Sequence, residues 1–168
     1  NLLLVFPDLY EIGMSNQGLM YLYHAAAVAE GVGVEMAFTP WPDLEGIMRR
    51  TGQPLRSWQT GKPAREFDLI GITLPYELHY TNVLTVLDVA GIPLEASQRC
   101  EDDPLVIAGG TCVTNPLPVI GAFDAFFLGD GEELLPEAIE VLAGAKRAGT
   151  PRPGRVRALA DIEGVYVD

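Results

Sequence analysis

Short apolar runs recur along the chain at residues 2–6 (LLLVF), 34–38 (VEMAF), 69–74 (LIGITL), 105–108 (LVIA) and 125–128 (AFFL). Each is bounded by turn residues and has the length of a strand buried on both faces. Between these runs, apolar residues fall at helical spacing. Leu19, Leu22, Tyr23, Ala26 and Ala27 share one face, Tyr80, Val83, Leu84, Leu87 and Ala90 a second, and Leu134, Leu135, Ala138, Ile139 and Leu142 a third. Strand and helix alternate, and the alternation predicts an α/β fold: a doubly wound, five-stranded parallel sheet with helices on both faces.

The second crossover is the weakest part of this pattern. It predicts a short helix over residues 43–50, followed by a surface loop over 51–62 anchored by Trp58. After the last long helix, residues 148–155 are rich in Pro, Gly and Arg, and a short helix over 156–161 leads to Val165, Tyr166 and Val167. The pattern therefore divides the chain into an α/β domain over residues 1–147 and a connecting segment over 148–168. Asn1 opens directly on an apolar run, and the chain stops just after another, so both ends are expected to continue into a longer polypeptide.

Composition narrows the function classes. A chain of 168 residues is long enough for one domain that buries roughly 68–70% of its unfolded surface. The formal charge is −12, so the basic footprint that supplies most nucleic-acid affinity is missing, and direct nucleic-acid binding is not expected. No apolar run approaches the ~20 residues of a membrane span, and no membrane association is expected. The two cysteines, Cys100 and Cys112, are too few for a disulfide framework and lack the paired spacing of a zinc site, which points to a reducing cytoplasm.

Candidate chemistry lies in the turns that leave the carboxyl ends of the strands, where α/β sheets bind ligands. Two are glycine turns: Gly109-Gly110-Thr111, and Gly129-Asp130-Gly131-Glu132-Glu133. The first turn, residues 7–15, leads into a helix for which Ser15 or Asn16 is the expected N-cap. It contains neither G-x-G-x-x-G nor a phosphate-binding lysine loop, and its Asp8 and Glu11 would repel a phosphate, which disfavours a flavin mononucleotide or dinucleotide there.

Asp8-x-Tyr10-x-x-Gly13 in the first turn, Thr73-Leu74 after the third strand and Gly109-Gly110 after the fourth sit where cobalamin-binding domains carry D-x-H-x-x-G, S-x-L and G-G. At greater length, FPDLYEIGMSNQGL, DLIGITLPYELHYTNVL, LVIAGGTCVTNP and FLGDGEE resemble the amino-terminal domain of a family of radical S-adenosylmethionine (SAM) proteins. The resemblance covers nearly the whole chain. It implies a flavodoxin-like, cobalamin-binding-like Rossmann domain with strand order 2-1-3-4-5, whose cobalamin contacts would come from Asp8, Tyr10, Gly13, Thr73, Leu74, Gly109, Gly110 and Thr111.

The resemblance also implies a radical SAM domain further along the same polypeptide, holding S-adenosylmethionine and a 4Fe-4S cluster on a C-x3-C-x2-C motif. That motif is absent here, so no catalytic or metal-ligating residue is assigned to this chain and the parent protein is expected to be the enzyme. The departure that matters most is Tyr10, in the place of the cobalt-ligating histidine. A phenol with a reference pKa of about 10 must lose a proton to ligate, and neighbouring carboxylates oppose that. Two other readings stay open: a scaffold that docks a partner domain or positions substrate without cofactor, and a flavodoxin-like electron carrier.

The remaining polar residues have structural explanations beside any functional one. Glu132 and Glu133 fall in the first turn of a helix, where carboxylates offset the macrodipole. Asp8 and Glu11 read as an acid–base pair or as solvated capping carboxylates. His24 sits on a helix flank, and Cys112 follows the glycine turn as a small residue for burial. His79 starts the helix after the third strand, beside the expected crevice, and is the histidine to test. Tyr76 and Tyr80 would serve either as an apolar wall for a ring system or as core.

Overall fold

The computed structural model describes residues 1–29 and 31–168. Strands β1 (Leu2–Phe6), β2 (Val34–Phe38), β3 (Leu69–Thr73), β4 (Leu105–Gly109) and β5 (Ala125–Phe127) run parallel, and β6 (Val165–Tyr166) pairs antiparallel with β5. The sheet order is β2-β1-β3-β4-β5-β6. The five runs and the 2-1-3-4-5 order hold, but the sheet has six strands and is parallel only in its first five. β6 escapes the sequence pattern because it is two residues long and follows Gly164, whose carbonyl accepts from Leu128 N at 2.7 Å.

Alternate residues of each strand supply two cores. Leu3, Val5, Ile70, Ile72, Val106 and Ala108 face helices α3 (Pro42–Thr51) and α4 (Tyr80–Val89) on one side. Leu2, Leu4, Phe6, Leu105 and Ile107 face α2 (Gln17–Ala27), α5 (Gly131–Arg147) and α6 (Arg152–Ala160) on the other. The crossover from β4 to β5 has no α-helix. Pro116 and Pro118 restrict it to two 3-10 segments, Thr111–Thr114 and Leu117–Ala122. Of the two expected N-caps of α2, Asn16 is the one used: its Oδ1 accepts from Leu19 N at 2.9 Å.

Residues 148–168, expected as a connecting segment, supply α6 and β6. Arg152, at the start of α6, is buried and donates to the carbonyls of Asp103 and Pro104 and to Asp124 Oδ1 at 2.7 Å. Arg99 donates to Asp124 Oδ2 at 3.0 Å and to the carbonyl of Ala122 at 2.6 Å, so one carboxylate joins two buried guanidinium groups. Burial lowers the Arg99 pKa from its ordinary value, and Asp124 acts against it. The loop over residues 51–62 is equally fixed. Trp58 N donates to Met36 O at 2.7 Å and Met36 N donates to Gln59 Oε1 at 2.8 Å, so the loop lies along the outer edge of β2.

Candidate functional site: the crevice at the carboxyl edge of the sheet

The first turn leaves β1 through Pro7 and Asp8. Asp8 Oδ1 accepts from Leu9 N at 2.7 Å, and the Asp8 carbonyl accepts from Thr39 N at 2.9 Å just beyond β2. The short helix α1 (Tyr10–Gly13) then lies against the sheet through Gly13, where an added Cβ would stand 2.4 Å from the Phe38 ring. Gly13 is therefore set by close packing. The Tyr10 ring stacks on Trp58 at 4.1 Å between centroids and meets the Phe38 edge at 5.3 Å, so its aromatic surface is engaged by the protein itself.

The turns after β3 and β4 are hydrogen-bonded to each other. Leu74 N donates to Gly109 O at 2.7 Å, Cys112 N donates to Leu74 O at 3.0 Å, and Thr111 Oγ1 donates to Pro75 O at 2.6 Å. Leu74 itself is fully buried among the residues facing α4, whereas Thr73 is half-buried on the opposite side. The two glycines differ sharply. Gly110 has φ +107°, and a Cβ there would meet the Leu74 backbone at 2.9 Å, so the turn itself requires glycine. Gly109 has no such constraint, because a Cβ added to it would meet nothing within 4 Å.

The space beside Gly109 is a slot of about 270 Å³ between the sheet and helices α2 and α5. Its floor is Gly71, Thr73, Ile107 and Gly109, and its mouth carries Asp130 and Glu132. Gly71 lies mid-strand, with Leu4 and Ile107 on either side, and its missing side chain deepens the floor. Glu132 and Glu133 occupy the exposed first turn of α5. The crevice thus gathers Thr73, Gly109 and Gly110 at one slot. Asp8, Tyr10 and Gly13 lie at the neighbouring turn, and Leu74 holds the base of the β3 turn from within the core.

His79 ends the 3-10 segment Glu77–His79 and is 2% exposed. Its Nε2 lies 3.3 Å from Asp8 Oδ2, and its Nδ1 is buried without a hydrogen-bond partner. The sequence pattern marked His79 by its place in the crevice, but its pairing with Asp8, 71 residues away, has no local signature. Tyr76 is half-exposed and lies against the imidazole at 4.5 Å. Tyr80 packs on the core, where burial first, then Cys112 and Glu77, push its phenol above the ordinary value. Cys100 is exposed, Cys112 half-buried, and both are free thiols. His24 is exposed on α2 and touches Tyr23 edge-on.

Among the described residues, no group of three or more His, Cys, Asp or Glu side chains is arranged to hold a metal ion. No described helix is long and apolar enough to cross a membrane.

A doubly wound, mostly parallel sheet with an open slot beneath a glycine turn at its carboxyl edge defines a Rossmann-like α/β domain. The chain belongs to the family described as radical SAM proteins, N-terminal, whose sequence profile matches residues 18–168. Two solved structures of TsrM, a radical S-adenosylmethionine methyltransferase from Kitasatospora setae, share the fold. One, with cobalamin and a [4Fe-4S] cluster bound, aligns at a TM-score of 0.57, and the other, with tryptophan substrate and the SAM analogue aza-SAM bound, at 0.56. In both, identity is 18% and the alignment covers 99% of this chain and 28% of the other. The chain therefore spans little more than a quarter of the length of those proteins. No curated protein matches it.

Proposed function

We propose that this chain is the cofactor-holding N-terminal domain of a radical SAM enzyme, binding cobalamin at the carboxyl edge of its sheet and performing no catalysis by itself. The observation that carries this reading is Gly109. Its neighbour Gly110 is demanded by backbone geometry, but Gly109 opens onto a slot that no protein atom fills. A slot between sheet and helices, floored by glycine and apolar side chains, suits a flat heteroaromatic nucleotide tail. The backbone of the 109–111 turn would lie against the tail's ribose and phosphate, and Thr73 would supply a hydroxyl.

Cobalamin, when bound, supplies cobalt redox and group-transfer chemistry. The chain's own residues hold and orient it. Tyr10 is not a cobalt ligand in this reading, because its ring is clamped between Trp58 and Phe38 and its phenol would need to ionise beside Glu11. S-adenosylmethionine and the 4Fe-4S cluster belong to a radical SAM domain of the same polypeptide, which is the domain's partner. The free thiols Cys100 and Cys112 suit a reducing cytoplasm.

The test is a titration of the full-length protein with hydroxocobalamin, following retention of the corrin absorbance through gel filtration. Gly109→Val is the informative variant, because a Cβ at this position meets no protein atom within 4 Å and the side chain is directed at the space proposed for the cofactor. Retention by the wild type and its loss in Gly109→Val is the expected result. A second reading, a docking scaffold without cofactor, is favoured by the Tyr10–Trp58 stack and the acidic mouth of the slot. Failure of the folded wild-type protein to retain corrin would establish it in place of the first.

A further inference from the structure

Gly71 stands in the middle of β3, where neither backbone conformation nor close packing asks for glycine. Its φ is not positive, and its pairing is unbroken on both sides, with Leu4 of β1 and Ile107 of β4. The nearest neighbours of an added Cβ would be side chains, Leu4 Cδ2 at 3.3 Å, Ile107 Cγ1 at 3.8 Å and Leu2 Cδ1 at 3.9 Å. A glycine inside a strand marks a bulge, the close approach of another backbone or the close approach of a ligand. The first two are absent here, and the third has a place, because Gly71 lines the slot beside Gly109. We infer that Gly71 sets the depth of this slot, and that the slot selects an apolar, benzimidazole-type base at the end of the cofactor's nucleotide tail over a purine base. The inference rests on the cobalamin reading above and names the part of the ligand that the slot reads.

The selection follows from what the walls offer for hydrogen bonding. Leu4, Ile107 and Phe127 from the sheet, Leu22 from α2 and Leu135 from α5 all border the slot. The floor has no backbone group to spare, because Gly71 pairs with strands on both sides and Thr73 pairs with Gly109. Three polar side chains line the slot: Thr73, half-buried at the end of β3, and Asp130 and Glu132, both exposed at the mouth. Gly131 packs so closely on Leu22 that an added Cβ would stand 2.7 Å from it, so α2 and α5 meet beside the mouth.

A purine carries ring nitrogens and, in adenine, an exocyclic amine along its outer edge. Beside Gly71 these groups would leave water and find no partner, and a polar group buried without a hydrogen bond opposes binding. A dimethylbenzimidazole presents C–H and methyl groups along the same edge, which the apolar walls accept. The two bases are close in size and shape, so the discrimination comes from polarity, and the space left by Gly71 determines whether a two-ring base reaches the floor at all.

The test is equilibrium dialysis of the full-length protein against three corrinoids: hydroxocobalamin, its counterpart with adenine in place of dimethylbenzimidazole, and aquocobinamide, which lacks the nucleotide tail. Wild-type protein is expected to bind the adenine form roughly tenfold or more weakly than hydroxocobalamin. Gly71→Ala places a methyl group on the floor and is expected to weaken hydroxocobalamin binding by about tenfold while leaving aquocobinamide binding unchanged. The wild-type comparison alone decides if Gly71→Ala fails to fold. Equal dissociation constants for the two bases in the wild type, or a folded Gly71→Ala that holds hydroxocobalamin as tightly as the wild type, overturn the inference and leave the cofactor reading standing. A folded wild-type protein that binds no corrinoid overturns both.

Discussion

Arg152 and Asp124 lie 28 residues apart in sequence, and their side chains meet at 2.7 Å in the interior. The carboxylate also receives Arg99 on its other oxygen and the backbone N–H of Val106 at 2.8 Å. Replacing it strands two buried guanidinium groups, a loss of about 3–5 kcal/mol for a broken buried pair. Asp124→Asn is therefore expected to loosen α6 and the start of β4 together. Hydrogen exchange read by mass spectrometry checks this: faster exchange at Val106 and across α6 is expected, and unchanged exchange would mean the network is dispensable.

The two adjacent glycines should part company on substitution. Gly110→Ala forces a side chain into φ +107° and against the Leu74 backbone at 2.9 Å, and strain of this kind costs about 1–3 kcal/mol before the clash is counted. Gly109→Ala meets open space and is expected to change stability by less than about 1 kcal/mol. Thermal unfolding of the pair gives the comparison. Equal losses would contradict the division into a turn glycine and a slot glycine.

Tyr10 contributes packing. Tyr10→Phe keeps the stack on Trp58 and removes only the hydroxyl, so corrin retention and the cobalt spectrum should be indistinguishable from the wild type. Tyr10→Ala removes the stack, which is worth about 0.5–1.5 kcal/mol beyond its buried area, and should change Trp58 fluorescence. A cobalt spectrum altered by Tyr10→Phe would show the phenol to be a ligand.

Asp103 should confer an acid limit. Burial pushes its carboxyl up, but the Cys100 backbone N–H at 2.9 Å and the Arg65 guanidinium at 2.7 Å outweigh burial and hold it below the usual range. A carboxyl depressed by folding lends stability that is complete above its unfolded value of about 3.9, and that is lost as pH falls through the lower folded value. Asp103→Asn should be less stable than the wild type near pH 7, with the gap closing below about pH 4. Urea unfolding across this range checks the sign, and a gap that widens toward acid would refute it.

Much of this architecture was written locally. Leu2–Phe6 and Leu105–Gly109 are apolar at every position because both faces of those strands are covered, and a continuous short run is legible as such. β6 was illegible because two residues carry no period. α6 was legible only in its second half, as the short helix over 156–161; its first half was hidden because its Arg and Pro content reads as solvent-exposed, although Arg152 is buried by a partner that sequence spacing does not reveal. The crevice divided in the same way. Its glycine turns are contiguous and were visible, whereas the difference between Gly109 and Gly110 depends on Leu74 across the turn. The meeting of Asp8 with His79 depends on two strands lying side by side.

Both borders of the sheet are blunted against strand addition. At one side the Trp58 and Gln59 backbone and side-chain groups already occupy the polar positions of β2, and at the other β6 ends after two residues. Exposed strand borders invite edge-to-edge aggregation, and these devices suppress it. They also leave the helix faces and the turns above the crevice, where Tyr76 lies against His79, as the surfaces of this domain that carry no such protection.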